Sequence, residues 1–80
     1  MKVSLKLARI GMNMQEATIV KWRKQIGDEF RKGDVLYEIE TEKVTQEVEA
    51  QGDGKMLEIL VAEEEDAKVG EAVCVVDIDF

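Results

Sequence analysis

Few side chains in this chain could do chemistry. Histidine is absent, which removes the usual general base and the commonest metal ligand. The one cysteine, Cys74, lies in the apolar run Ala72-Val73-Cys74-Val75-Val76. No base neighbours it in sequence, so it reads as a buried, inert thiol. Carboxylates alone could hold a metal, but Glu63-Glu64-Glu65-Asp66 lacks the spaced ligands and glycine of a calcium loop and reads as solvated loop. That leaves Lys43. With Glu42 it separates two stretches that alternate apolar and polar residues, Val35 to Thr41 and Val44 to Ala50, where a tight turn must go. Two-residue hairpin loops favour Asn-Gly or Asp-Gly, because turn types I′ and II′ need positive φ. Glu42-Lys43 suits a type I turn instead, at some cost in match to strand twist. A local rule broken without structural gain points to a functional site. An amine at such an apex stands clear of the fold on a flexible stem, open to another protein's active site, as a modification target would be. The alternative on these residues alone is a lysine that merely solubilises a loop.

The elements that would hold Lys43 are strands. Val3 to Leu7 alternates, Ala17 to Trp22 is β-branched and aromatic, and Met56 to Val61 and Val73 to Ile78 are apolar runs of strand length. Punctuation falls at Gly11, Gly27-Asp28, Gly33-Asp34, Gly52-Asp53-Gly54 and Gly70. Glu63 to Lys68 is the longest helix candidate and is too short and acidic to hold without tertiary support. A shift of 37 positions, the separation of Gly33 and Gly70, lays one half on the other. Ile19 then meets Met56, Trp22 meets Ile59, Leu36 meets Val73 and Ile39 meets Val76. Two copies are too few for a solenoid. Two half-sized sheets that each bury one face are satisfied by packing on each other. The expectation is an all-β sandwich or barrel with pseudo-twofold symmetry and about four strands per sheet. Val35, Tyr37 and Ile39 would share one face of their strand, and Val44, Val48 and Ala50 one face of the next.

Eighty residues make one small domain, 1–80. The net charge of −7 repels phosphate backbones, so no nucleic-acid partner is expected. No apolar run approaches the roughly 18–20 residues of a membrane span, and Met1 to Leu5 carries no long apolar segment of a signal peptide. A lone cysteine fits a reducing compartment.

"GMNMQEATIVKW", "GDEFRKGDVLYEIETEKV", "EVEA" and "DGKMLEILV…VGEAV" resemble the lipoyl domains of 2-oxo acid dehydrogenase complexes, of the acyltransferase type, over roughly residues 3 to 79. The most specific element is Glu40-Thr41-Glu42-Lys43-Val44, similar to the family's Glu-Thr-Asp-Lys-Ala pattern. The resemblance implies a flattened β-barrel of two four-stranded antiparallel sheets with quasi-twofold symmetry. It also implies lipoic acid in amide linkage to Lys43 at a hairpin apex far from both termini, with Glu40, Thr41, Glu42 and Val44 as flanking recognition residues. The implied role is a non-catalytic swinging arm between a thiamine-diphosphate decarboxylase, an acyltransferase core and dihydrolipoamide dehydrogenase, loaded by a lipoate ligase or octanoyltransferase. The 2-oxo acid, or acetoin, stays open. An isolated monomeric domain in bacterial or archaeal cytoplasm or the mitochondrial matrix is expected. Biotin carboxyl carrier domains share the fold, but flank their lysine with methionines, whereas Glu42 and Val44 stand here. An unmodified barrel-sandwich module is the third reading.

Smaller expectations follow. Gln46 replaces a frequent apolar residue and should be half exposed, and Gln51 replaces a frequent proline. The loop Gln25 to Arg31 should lie near the apex. The acids Glu38, Glu40, Glu42, Glu47 and Glu49 could meet a basic collar on a partner, or be ordinary outward positions. Met12, Met14 and Trp22 read as packing.

Overall fold

The computed structural model describes residues 1–9, 14–42 and 44–79. Among the described residues the chain forms eight strands: β1 (Lys2–Lys6), β2 (Glu16–Trp22), β3 (Glu29–Phe30), β4 (Val35–Glu40), β5 (Thr45–Glu49), β6 (Asp53–Ile59), β7 (Asp66–Lys68) and β8 (Ala72–Asp79). They form two four-stranded sheets, ordered β1-β8-β6-β3 and β5-β4-β2-β7. All pairings are antiparallel.

The 37-residue shift holds residue by residue. The β2–β4 pairs Thr18↔Glu40, Ile19↔Ile39, Lys21↔Glu38 and Trp22↔Tyr37 move onto Lys55↔Asp77, Met56↔Val76, Glu58↔Val75 and Ile59↔Cys74 of β6–β8. The break in register after Ile19 recurs after Met56. Loops obey the same shift. Asp34 accepts the Arg31 N–H at 2.9 Å, and Glu71 accepts the Lys68 N–H at 2.9 Å. Gly33 N–H donates to the Ala50 carbonyl, and Gly70 N–H to that of Leu7. Thus β5 and β1 occupy matching edges.

Side chains on the inner faces form one core, including Ile19, Trp22, Phe30, Tyr37, Ile39, Met56, Val73, Cys74, Val76 and Ile78. Met14 and Trp22 belong to it, as packing predicts; Met12 lies outside the described residues. The Trp22 indole N–H donates to the Val61 carbonyl at 2.8 Å, so the ring is buried without an orphaned donor.

Four expectations need correction. β3 and β7 have no counterpart in the sequence reading, because strands of two and three residues show no periodicity. Gly52-Asp53-Gly54 is not simply punctuation, since β6 begins at Asp53. A Cβ on Gly54 would run into the Asp77 carbonyl oxygen and come within 3.0 Å of the Phe30 ring; this glycine permits close backbone approach inside a strand. Leu36 is buried beside Tyr37, because the β4–β5 register shifts between Val35 and Tyr37. Gln46 is exposed and Val44, just before β5, is 52% exposed, since β5 is an edge strand with β4 as its one partner.

Candidate functional site

The β4–β5 ladder runs to Glu40↔Thr45. Beyond it the Thr41 N–H donates to the Val44 carbonyl at 2.8 Å, so the loop proper is positions 42 and 43. Lys43 itself lies outside the described residues; its neighbours define the site. Glu40 and Glu42 are exposed and Thr41 is half-buried. Among the described residues Glu64 is the one non-glycine with positive φ, so Glu42 does not have it. That excludes types I′ and II′, both of which need positive φ at the first apex position. The Thr41 Oγ1 lies 3.3 Å from both the Val44 nitrogen and the Val44 oxygen.

The register also says what stands beside the apex. On the outer face the row Thr45–Glu40–Thr18–Asp66 crosses all four strands, and Thr18 Oγ1 is bonded to Asp66 Oδ1 at 2.6 Å. Among the described residues, therefore, the start of β2 and β7 stand beside the hairpin, not Gln25 to Arg31. That loop crosses to the other sheet: Gly27 N–H donates to the Met56 carbonyl, and Glu29 pairs with Lys55, which pairs with Asp77. Asp77 holds the N-terminal ammonium at 2.8 Å, so the expected partner loop sits at the terminal end of the molecule. Sequence reading placed Asp66 in a solvated run and missed its place in the row. The 37-residue shift carried the signal, since a strand at 29–30 requires one near 66–67.

The matching row on the other sheet is Lys2–Asp77–Lys55–Glu29, with alternating charge. On the apex-bearing sheet threonines stand where those lysines are, and Glu40 and Asp66 have no cation in their row. One step further from the apex, Arg23 binds Glu38 through Nε and reaches Glu47 at 3.7 Å. Two of the five acids are thus neutralised within the domain. Among the described residues no ion pair reaches Glu40, Glu42 or Glu49.

Chemistry elsewhere is muted. Burial pushes the Cys74 thiol up to about 12 and the Tyr37 phenol up to about 12. Among the described residues no three His, Cys, Asp or Glu side chains converge as a metal site. A hairpin whose described flanks, Glu42 and Val44, are exposed fits a group attached by a single covalent link, which needs no enclosing pocket.

Residues 3–76 match the biotin/lipoyl family model, described as "Biotin-requiring enzyme". The chain is 34% identical over 74 residues, 92% of its length and 19% of the other protein, to the dihydrolipoyllysine-residue acetyltransferase component of the acetoin cleaving system of Bacillus subtilis. It is 38% identical over 72 residues, 90% of its length, to the dihydrolipoyllysine-residue succinyltransferase component of the 2-oxoglutarate dehydrogenase complex of Staphylococcus saprophyticus, of which it covers 17%. The chain therefore spans under a fifth of these relatives. Among solved structures, the lipoyl domain of the 2-oxoglutarate dehydrogenase complex of Azotobacter vinelandii superposes with a TM-score of 0.78 at 27% identity, over 94% of this chain and 95% of that one. A long-chain acyl-CoA carboxylase superposes with a TM-score of 0.81 at 16% identity, over 99% of this chain and 7% of that one, a likeness of fold alone. Fold, hairpin and relatives agree: the chain belongs to the biotin/lipoyl family of carrier domains, whose cofactor, lipoate or biotin in type, is covalently attached.

Proposed function

We propose that Lys43 carries a lipoyl group and that the domain serves a 2-oxo acid or acetoin dehydrogenase complex as its swinging arm. The observation that carries this reading is the β4–β5 hairpin, whose flanks Glu42 and Val44 are exposed and whose loop sequence lacks the glycine such loops favour. Lipoate is favoured over biotin by Glu42 and Val44, which stand in place of flanking methionines, and by relatives named for dihydrolipoyllysine. When attached, a lipoyl group supplies a dithiolane that accepts an acyl group and two electrons and gives them up again. The protein's part is to hold the attachment point off the sheet, so that tethering turns each visit to a partner into a reaction at high effective concentration. Its partners are a lipoate ligase or octanoyltransferase, a thiamine-diphosphate decarboxylase, an acyltransferase core and dihydrolipoamide dehydrogenase. Among the described residues no cation pairs with Glu40, Glu42 or Asp66, and negative charge of this kind speeds encounter with a basic surface more than it adds affinity. A reducing compartment, bacterial or archaeal cytoplasm or mitochondrial matrix, completes the proposal.

Intact-mass spectrometry tests it. Incubation with a lipoate ligase, lipoate and ATP should add one lipoyl group to the wild type and none to Lys43→Ala. A biotin ligase with biotin and ATP should add nothing. A biotin adduct, or a lipoyl adduct that survives Lys43→Ala, would overturn the assignment.

A further inference from the structure

We infer that Thr41 is the positioning residue of the hairpin, closing the turn through its side chain. A two-residue loop commonly achieves its closure with residues that accept positive φ at the apex. Here Glu42 does not adopt positive φ. Directly beneath the apex, the Thr41 hydroxyl meets both polar groups of Val44, accepting its N–H at 3.3 Å and lying 3.3 Å from its carbonyl oxygen. The same carbonyl takes the Thr41 N–H at 2.8 Å. Thr41 and Val44 are thereby locked across the neck of the loop by side chain as well as main chain. Threonine suits this role because β-branching leaves its χ1 few choices, so the hydroxyl is aimed before the turn forms. The demand for glycine or asparagine is relieved at position 42, which is free to carry a residue chosen for recognition. The inference deepens the lipoyl reading and rests on it only for its consequence, that a preset turn presents Lys43 to the attaching enzyme.

The experiment compares wild type, Thr41→Val and Thr41→Ser. Valine keeps the β-branched shape and loses the hydroxyl; serine keeps the hydroxyl. Hydrogen exchange of the Val44 amide, followed by NMR, should quicken about fivefold in Thr41→Val, as expected for one lost hydrogen bond, and return close to wild type in Thr41→Ser. With lipoate ligase, lipoate and ATP, Thr41→Val should raise KM for the domain about fivefold and leave kcat unchanged, because a smaller fraction of the domain presents the competent turn. Circular dichroism and Tm check that each variant is folded. Unaltered Val44 exchange in Thr41→Val, or failure of serine to restore it, overturns the inference. A wild type that no ligase modifies overturns the lipoyl reading instead, and the exchange measurement still decides the role of Thr41.

Discussion

Glu64 shows how a local oddity acquires meaning from its counterpart. Its φ is 69°, where an L side chain is strained, and the residue 37 positions earlier is Gly27, at φ 93°. The same tight turn is built twice, once with the residue that fits it. Left-handed backbone costs a side chain about 1–2 kcal/mol, offset in part by the entropy glycine loses on folding. Glu64→Gly should therefore stabilise the domain by about 0.5–1 kcal/mol, measured by urea unfolding. Cys74 and Tyr37 give a pH dependence with a definite sign. Burial raises both, from ordinary values of 9.0 and 10.0 to about 12, with Cys74 a lesser influence on Tyr37. Below pH 9 both states hold these protons and the contribution is complete. As pH rises from 9 towards 12, the unfolded chain releases protons that the folded chain keeps, and stability falls. Tm followed across that range should decline, and Cys74→Ala should soften the early part of the decline.

At the scale of elements, the sheets depend on close backbone approach more than on surface charge. Gly54 on β6 faces the Asp77 carbonyl and the Phe30 ring with no room for a Cβ. Gly54→Ala should cost about 2–3 kcal/mol by forcing β6 from β8 or displacing Phe30, read as a lower urea midpoint. Arg23 links β2, β4 and β5 through Glu38 and Glu47, but its side chain is 45% exposed. Arg23→Ala should cost under about 1 kcal/mol. Its larger effect should be electrostatic, since two carboxylates on the apex-bearing sheet would lose their partner. Association with a basic partner surface should then become faster at low salt, checked by stopped-flow with the thiamine-diphosphate decarboxylase proposed above as a partner.

The whole molecule is one pattern used twice, with a hairpin at one end and a chain break at the matching place. β5 and β1 are counterparts, so the β4–β5 turn corresponds to the gap between β8 and β1. There the Ile78 N–H donates to the Met1 carbonyl at 2.8 Å, which holds the two strand ends side by side. A permuted chain, joined across that gap by about four flexible residues and opened between Glu42 and Lys43, should keep all eight strands. The break it introduces is one the symmetric half already tolerates. Circular dichroism and amide NMR dispersion check this, and an unfolded permutant would show that the hairpin, unlike its counterpart, is needed for folding. Much of this was legible in the amino-acid order. Period-two alternation marks the six longer strands, the shift of 37 marks the repeat, and the break in alternation after Thr41 marks the turn between β4 and β5, because each signal lies in residues close together in the chain. The three-dimensional fold alone settled the rest: that β3 and β7 complete the sheets, that Asp66 rather than the Gln25 to Arg31 loop stands beside the hairpin, and that Arg23 neutralises Glu38 and Glu47. Each of these depends on residues far apart in sequence meeting across a sheet, a register that only the closed two-layer packing defines.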